Sequence, residues 1–238
     1  MRKTRRYLTL LLALPLLMLC ACDTTVQTDE AEIGEAVVKK TTLTPTDTFA
    51  LDTAQSKVTW IGAKMTGRHN GLIDIQTGEL YMTDSLITGG KVVLSMTTVR
   101  SADKTIDEAS NKKLTNHLRS DDFFDTERYP TAVFELTGIA PYDSSEAGTS
   151  DAVVYSELRV QHPSHRITGN LTIRNQTKSV AFPARVTLED SLLRAKANFN
   201  IDRTQWGLVY RSDKSLGDQT IRNEVNIGLD LVAKPKQP

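Results

Sequence analysis

The chain has 238 residues, enough for one sizeable domain, and its 39% apolar and 24% charged side chains with only 13 Gly and 8 Pro exclude collagen-like and generally disordered compositions. Its 29 basic and 29 acidic side chains cancel, yet Arg2, Lys3, Arg5 and Arg6 all fall in the first six positions, and without residues 1–21 the balance is 25 against 29. An acidic body with no Lys/Arg block is a poor counter-ion for phosphate backbones, so nucleic-acid binding is not expected.

Residues 1–21 read as an export signal. A charged start is followed by an apolar run from Tyr7 to Leu19, broken by Pro15. That run is shorter than the ~20 residues a helix needs to cross a hydrocarbon core, and no later segment approaches that length. Leu19-Cys20-Ala21-Cys22 resembles the lipobox of bacterial lipoproteins, which implies lipidation at Cys22. An ordinary signal cleaved after Ala21 and an uncleaved anchor are the alternatives. Residues 22–47, rich in Thr, Asp and Glu, are expected to be a flexible lipidated tether. Such a chain would sit in the bacterial cell envelope, anchored to a membrane and facing the periplasm. With Cys20 removed and Cys22 acylated the folded part holds no thiol, so a disulfide framework, a Cys-ligated zinc and a cysteine nucleophile all drop out.

From Ser56 onward the pattern has period two. Val58, Trp60 and Gly62 share one face; His69-Asn70-Gly71 reads as a turn, since Asn-Gly between strands is a strong hairpin cue; Ile73 and Ile75 then continue. Further strands are predicted over 89–99 and 131–138. The C-terminal half then alternates through Ile167, Gly169, Leu171 and Ile173; Val180, Phe182, Ala184 and Val186; Leu193, Ala195, Ala197, Phe199 and Ile201; and Val225, Ile227, Leu229 and Leu231. Asp107 to Leu118 breaks the pattern with Ala109, Leu114 and Leu118 at helical spacing, so a short amphipathic helix is expected to cap the sheet. Pro183 lies on the polar face of its strand, which points to a bulge or an edge.

About eight antiparallel strands with one apolar face each can close into a barrel or pack as two sheets. Small residues (Gly62, Gly169, Ala184, Ala195, Ala197) interspersed with Trp60, Phe182 and Phe199 favour an eight-stranded barrel over residues 48–235, with interior volume to spare. A barrel of that size holds either its own side chains or one small ligand.

Several strings, in order, resemble the YceI family: Ser56-Lys57-Val58-Thr59-Trp60-Ile61-Gly62, Thr66-Gly67-Arg68-His69-Asn70-Gly71, Asn116 to Asp125, Arg128 to Glu135, Ile167 to Lys178, and Ile201-Asp202-Arg203-Thr204-Gln205-Trp206-Gly207. The resemblance spans about Leu51 to Lys234. It implies a lipocalin-like antiparallel barrel that binds a long-chain isoprenoid or acyl lipid in its lumen, with no established catalysis and no cofactor. Two departures stand out. Pro141 to Ser164 is longer than the usual link, as a mobile flap or an added hairpin would be, and Asn175-Gln176-Thr177 replaces a Gly-Xaa-Thr turn.

The candidate ligand-binding residues are Trp60, Phe134, Phe182 and Phe199 along the lumen, His69 near a head group, and Phe123 and Phe124 as a gate at one end. His69 could equally bond local backbone. No catalytic residue is assigned. Asp121, Asp122 and Asp125 flank Phe123-Phe124, where a loop inserting two rings and keeping its charges wet explains them better than acid–base chemistry. His162 and His165 lack a third metal ligand nearby, His117 belongs to helix packing or to the helix's C-terminal end, and Arg203 with Trp206 reads as a structural lock. The rival readings are an enzyme acting on a lipid-like substrate and a filled interaction barrel. A homodimer is compatible with the chain.

Overall fold

The computed structural model describes residues 24–38, 44–84, 86–143 and 155–236; the signal and Cys22 lie outside the described residues. Its strands are β1 (Asp29–Glu30), β2 (Glu32–Glu35), β3 (Asp47–Leu51), β4 (Lys57–Lys64), β5 (Gly67–Thr83) and β6 (Leu86–Ser101). After helix α1 (Glu108–Arg119) come β7 (Thr131–Pro141), β8 (His165–Ile173), β9 (Gln176–Glu189), β10 (Leu192–Asp202) and β11 (Ile221–Pro235). Strands β4 to β11 pair antiparallel in sequence order, and β11 returns to β4, for example through Ile227 opposite Trp60. This is the expected closed eight-stranded barrel. Strand β3 extends the β4 stave, pairing with β11 and β5.

Alternation fixes which side chains face inward, because a one-residue slip would turn every apolar residue to solvent. Register shifts in β5 and β7 re-phase these long strands, so that Leu80 and Ile139 also face the lumen.

One expected turn is corrected. The β4–β5 hairpin turns at Met65 and Thr66, and His69, Asn70 and Gly71 lie inside β5. Gly71 stands opposite Trp60. A Cβ there would lie 1.9 Å from the Arg100 carbonyl oxygen and 2.5 Å from Trp60 Cζ2. The glycine therefore admits an indole ring and a neighbouring backbone, and does not reverse the chain.

Helix α1 starts where its cap predicts. The Asp107 side chain accepts from Ser110 N at 2.8 Å, satisfying an otherwise unpaired donor of the first turn. Arg119 Nε donates to Val99 O at 3.0 Å and Thr115 Oγ1 accepts from Ser101 N at 3.0 Å, which holds the helix on β6.

The largest departure concerns residues 22–47, expected as a tether. Within them, residues 24–38 are docked on the barrel as a strap. Strands β9 and β10 pair only between Arg185–Glu189 and Leu192–Lys196. Beyond that they diverge, and the strap fills the gap: β1 runs parallel to Phe199 and Asn200, and β2 runs antiparallel to Lys178–Ala181. Ala31 and Ile33 pack against the core, while Glu30, Glu32 and Glu35 stay exposed. Asn200 Nδ2 donates to Val26 O at 2.9 Å, and Thr28 Oγ1 donates to Asn198 O at 3.1 Å. From the long β7–β8 link, Ser156 N donates to Gln27 O at 2.7 Å and Arg159 grips both carboxylate oxygens of Asp29. The described part of that insertion is thus a clamp on the strap; residues 144–154 lie outside the described residues. Pro183 sits between the stretch of β9 paired with β2 and the stretch paired with β10, an edge position where its missing N–H leaves no ladder bond unmade. It is buried, however, not on a wet face.

The turn after β10 is locked by a buried cation. Arg203, 3% exposed, donates from Nε to Arg222 O at 3.1 Å, from Nη2 to Tyr210 O and Ile221 O at 3.0 Å each, and from Nη1 to Leu208 O. Burial pushes its pKa down, yet a guanidinium stays charged in proteins. Trp206, fully buried, donates from Nε1 to Leu171 O at 2.9 Å. Arg203→Ala would strip four carbonyls of their donor, each unpaired buried group costing ~1–3 kcal/mol. The expected loss is at least about 3 kcal/mol in urea unfolding. Arg203→Lys should recover only part of it, since an ammonium cannot span the four acceptors.

Candidate functional site: an apolar lumen with a polar rim

The barrel encloses a cavity of about 290 Å³, at the lower end of the ~300–1,000 Å³ range of small-molecule sites. Its wall is built from the inward sets of every long strand, so nearly all its lining is aliphatic or aromatic. Trp60, His69, Phe123, Phe124, Phe134, Phe182 and Phe199 all line it. The structure brings these seven residues together around one space.

Their local geometry follows from their neighbours. Phe182 and Phe199 stack with centroids 4.0 Å apart and planes 13° from parallel, and Phe134 lies 6.0 Å from Phe182. A Cβ on Gly169 would lie 2.2 Å from Phe134 Cζ. That glycine seats the Phe134 ring, where an open space was expected of it; inward alanines such as Ala184 and Ala197 belong to the cavity wall.

The two ends of the lumen differ. Phe49, Leu51, Met82, Leu193 and Ala233 form a second buried cluster at the end carrying the β5–β6 turn. The opposite end, beside the β4–β5 turn, is roofed by α1 and the loop after it. There Leu118 and Phe123 are buried, and Lys64, His69, Leu114 and Phe124 line the cavity while half-buried. Phe123 is held beneath the roof by His117 and Tyr210, with ring centroids 5.0 and 5.2 Å away. His117 Nε2 is 2.8 Å from Asp122 Oδ2, so the histidine serves helix packing as expected.

His69 is the polar feature of the rim. Its Nδ1 lies 2.7 Å from Asp103 Oδ2, which leaves Nε2 as the ring nitrogen available to a ligand. Asp103, buried, also accepts from Thr105 N at 2.8 Å and Thr105 Oγ1 at 2.6 Å. These Thr105 donors, with His69 beside them, hold its carboxyl at about 2. Deeper in, the Trp60 indole N–H is buried with no hydrogen-bond partner among the described protein groups. An unpaired buried donor costs ~1–3 kcal/mol.

Other candidates do not gather into a site. Asp125 takes a positive φ of 47° and sits 3.7 Å from Arg128, and His165 Nδ1 lies 2.8 Å from Ser164 Oγ. Among the described residues no group of three or more His, Cys, Asp or Glu could hold a metal, and no helix is long and apolar enough to cross a membrane. Sequence reasoning missed the strap residues Ala31 and Ile33, although Glu30-Ala31-Glu32-Ile33 carries the same alternation as the barrel strands.

Residues 49–233 match the family model described as the YceI-like domain. Among solved structures, the chain is similar to BcnA of Burkholderia cenocepacia, with 20% identity, a TM-score of 0.55, and 76% of this chain and 98% of that chain covered. It is also similar to a polyisoprenoid binding domain from Saccharophagus degradans implicated in plant cell wall breakdown, with 14% identity, a TM-score of 0.53, and 79% and 98% covered. No curated protein sequence matches the chain.

The rim carries a pH prediction. A carboxyl lowered by folding contributes stability that is present above its ordinary value of 3.8 and is lost as pH falls through about 2. In acid titrations of unfolding free energy, Asp103→Asn should be less stable than the parent near neutrality, and the gap should narrow between pH ~4 and ~2. A gap that stays constant over this window would contradict the assignment.

Proposed function

The chain belongs to the YceI-like domain family, and on that premise we propose that its barrel binds a long apolar ligand, a polyisoprenoid, isoprenoid quinone or acyl lipid. It does so in the cell envelope, as a lipoprotein anchored through Cys22. The carrying observation is the cavity, an apolar interior closed at one end by packed side chains and bordered at the other by Lys64 and His69. The similarity to the polyisoprenoid binding domain from Saccharophagus degradans supports the same ligand class.

The energetics favour length. Each buried CH₂ contributes roughly 0.8 kcal/mol, so about ten give on the order of 8 kcal/mol gross. Immobilising the chain costs several kcal/mol of that. A short chain binds weakly and a long one usefully. Trp60 Nε1 offers a buried donor to an oxygen of the ligand, and His69, whose Nδ1 faces Asp103, presents Nε2 to a polar head group at the rim.

Solvent extraction of the purified full-length protein followed by mass spectrometry should yield a long isoprenoid or acyl compound at near-stoichiometric amount; a protein that yields none, and that takes up no added long-chain lipid, would refute the reading. Ala197→Trp, which places an indole in the lumen, should weaken binding of a fluorescent long-chain probe at least ~10-fold while the circular dichroism spectrum is retained. Trp60→Phe keeps most of the ring and removes the donor. It should weaken an oxygen-bearing ligand by roughly 5- to 10-fold, the equivalent of ~1–1.4 kcal/mol, and leave a pure hydrocarbon unaffected. His69→Ala should keep most apolar binding, whereas an enzyme relying on that histidine would lose turnover.

A further inference from the structure

We propose that the β4–β5 end of the barrel rests directly on the bilayer that holds the chain's N-terminus, so that ligand passes between membrane and lumen at a contact surface. This rests on the reading of Cys22 as an anchor. The observation behind it is the docked strap. A free tether of residues 22–47 would wander as a coil with a root-mean-square span of ~28 Å. The strap removes that freedom. It is tied to β10 through Val26 and Thr28, to the β7–β8 insertion through Asp29, and to β8 and β9 through Glu32–Arg166 and Glu35–Lys178. It begins at Thr24, whose Oγ1 donates to the Lys64 carbonyl at the β4–β5 turn. Cys22 is two residues further, a reach of at most ~7 Å. A lipid on Cys22 would thus enter the bilayer beside this turn, whatever path the two residues take.

What stands at that end fits a lipid surface. Met65 and Val209 are 42% and 58% exposed. Ile221 pairs with Lys64 in the sheet and donates from its N to Arg211 O at 2.8 Å, which ties the 208–220 loop, with Val209, to the strand that ends beside Met65. The cavity residues Lys64 and His69 share this rim, whereas the opposite end of the lumen is packed by side chains. The end nearest the anchor is also the end where the half-buried Lys64, His69, Leu114 and Phe124 line the cavity beneath α1 and the loop after it. A protein partner covering Met65 and Val209 is the competing occupant.

The test places a single environment-sensitive fluorophore on full-length protein in phosphatidylcholine–phosphatidylglycerol vesicles containing spin-labelled quencher lipids. Labels go on Met65→Cys or Val209→Cys at the near end and on Leu86→Cys or Leu188→Cys at the far end; the far positions are 69% and 52% exposed. Quenching at least threefold stronger at the near end is expected. Equal quenching, or stronger quenching at the far end, would overturn the proposal. Peptide mass mapping of the same samples reads acylation of Cys22 independently. Should Cys22 be bare, the series is repeated on a Cys22→Ser background. Near-end quenching there still supports the contact surface and refutes only the anchor, while its absence overturns the surface. Arg159→Glu, which sets a carboxylate against Asp29 and loosens the strap, should reduce the contrast between ends; an unchanged contrast would overturn the strap's part in orienting the barrel.

Discussion

A hollow apolar lumen persists in water only if its wall is closed, and wall closure is the constraint on which this molecule depends. Each strand presents one apolar face and a ladder of backbone donors and acceptors, and a gap anywhere would both wet the lumen and leave a bare edge. All eight seams carry antiparallel strand pairing, which at β6–β7 runs from Gly90 to Ser95 along β6. The seam between β9 and β10 is paired only over Arg185–Glu189 and Leu192–Lys196. The strap completes it, offering backbone partners to both free edges and the side chains of Ala31 and Ile33 to the core.

That closure links two parts of the chain that look unrelated in sequence. The acidic N-terminal segment supplies the missing stave, and the long β7–β8 insertion supplies Arg159 to grip it at Asp29. A bidentate guanidinium–carboxylate pair holds geometry as well as charge, and with both side chains less than 20% exposed it is less screened than a surface pair. The insertion and the strap therefore act as one device on the outer face of β10, over the buried amides Asn198, Asn200 and Asn226. The Asn198 and Asn226 side chains bond each other in both directions at 3.0 Å. These amides point outward by strand parity. They satisfy one another and the strap, and the lumen on the other side of the same strands stays free of them.

Inside, shape is set by pairs of very large and very small residues. Glycines at 71 and 169 exist to receive Trp60 and Phe134, and rings seated this way lie close to the wall. Volume remains where alanines face inward. Besides the deeper Trp60 N–H, the rim carries a polar group in His69, oriented by Asp103, and Asp103 in turn by Thr105. The arrangement suits a ligand with a hydrocarbon body and a modest polar head.

Much of this was legible in the sequence. Period-two alternation identified most of the strands, their inward sets and the lining residues Trp60, Phe134, Phe182 and Phe199, because a side chain's face in a strand depends only on parity; His69 was read as part of a turn, and Phe123 and Phe124 lie in the loop after α1. The helix was legible from Asp107 and the spacing of Leu114 and Leu118, both local signals. Asn70-Gly71 misled because the same glycine that permits a turn also permits close approach, and only Trp60 across the seam decides between them. The strap was misread because a segment rich in Thr and Glu scores as solvated unless it is known that two strand edges lie open beside it. Local chemistry thus determined the strands, the parity of their side chains and the apolar character of the lumen. The packing of distant segments alone decided which seam stayed open and what filled it, because those depend on contacts between residues 130 or more positions apart, such as Asp29 with Arg159 and Val26 with Asn200.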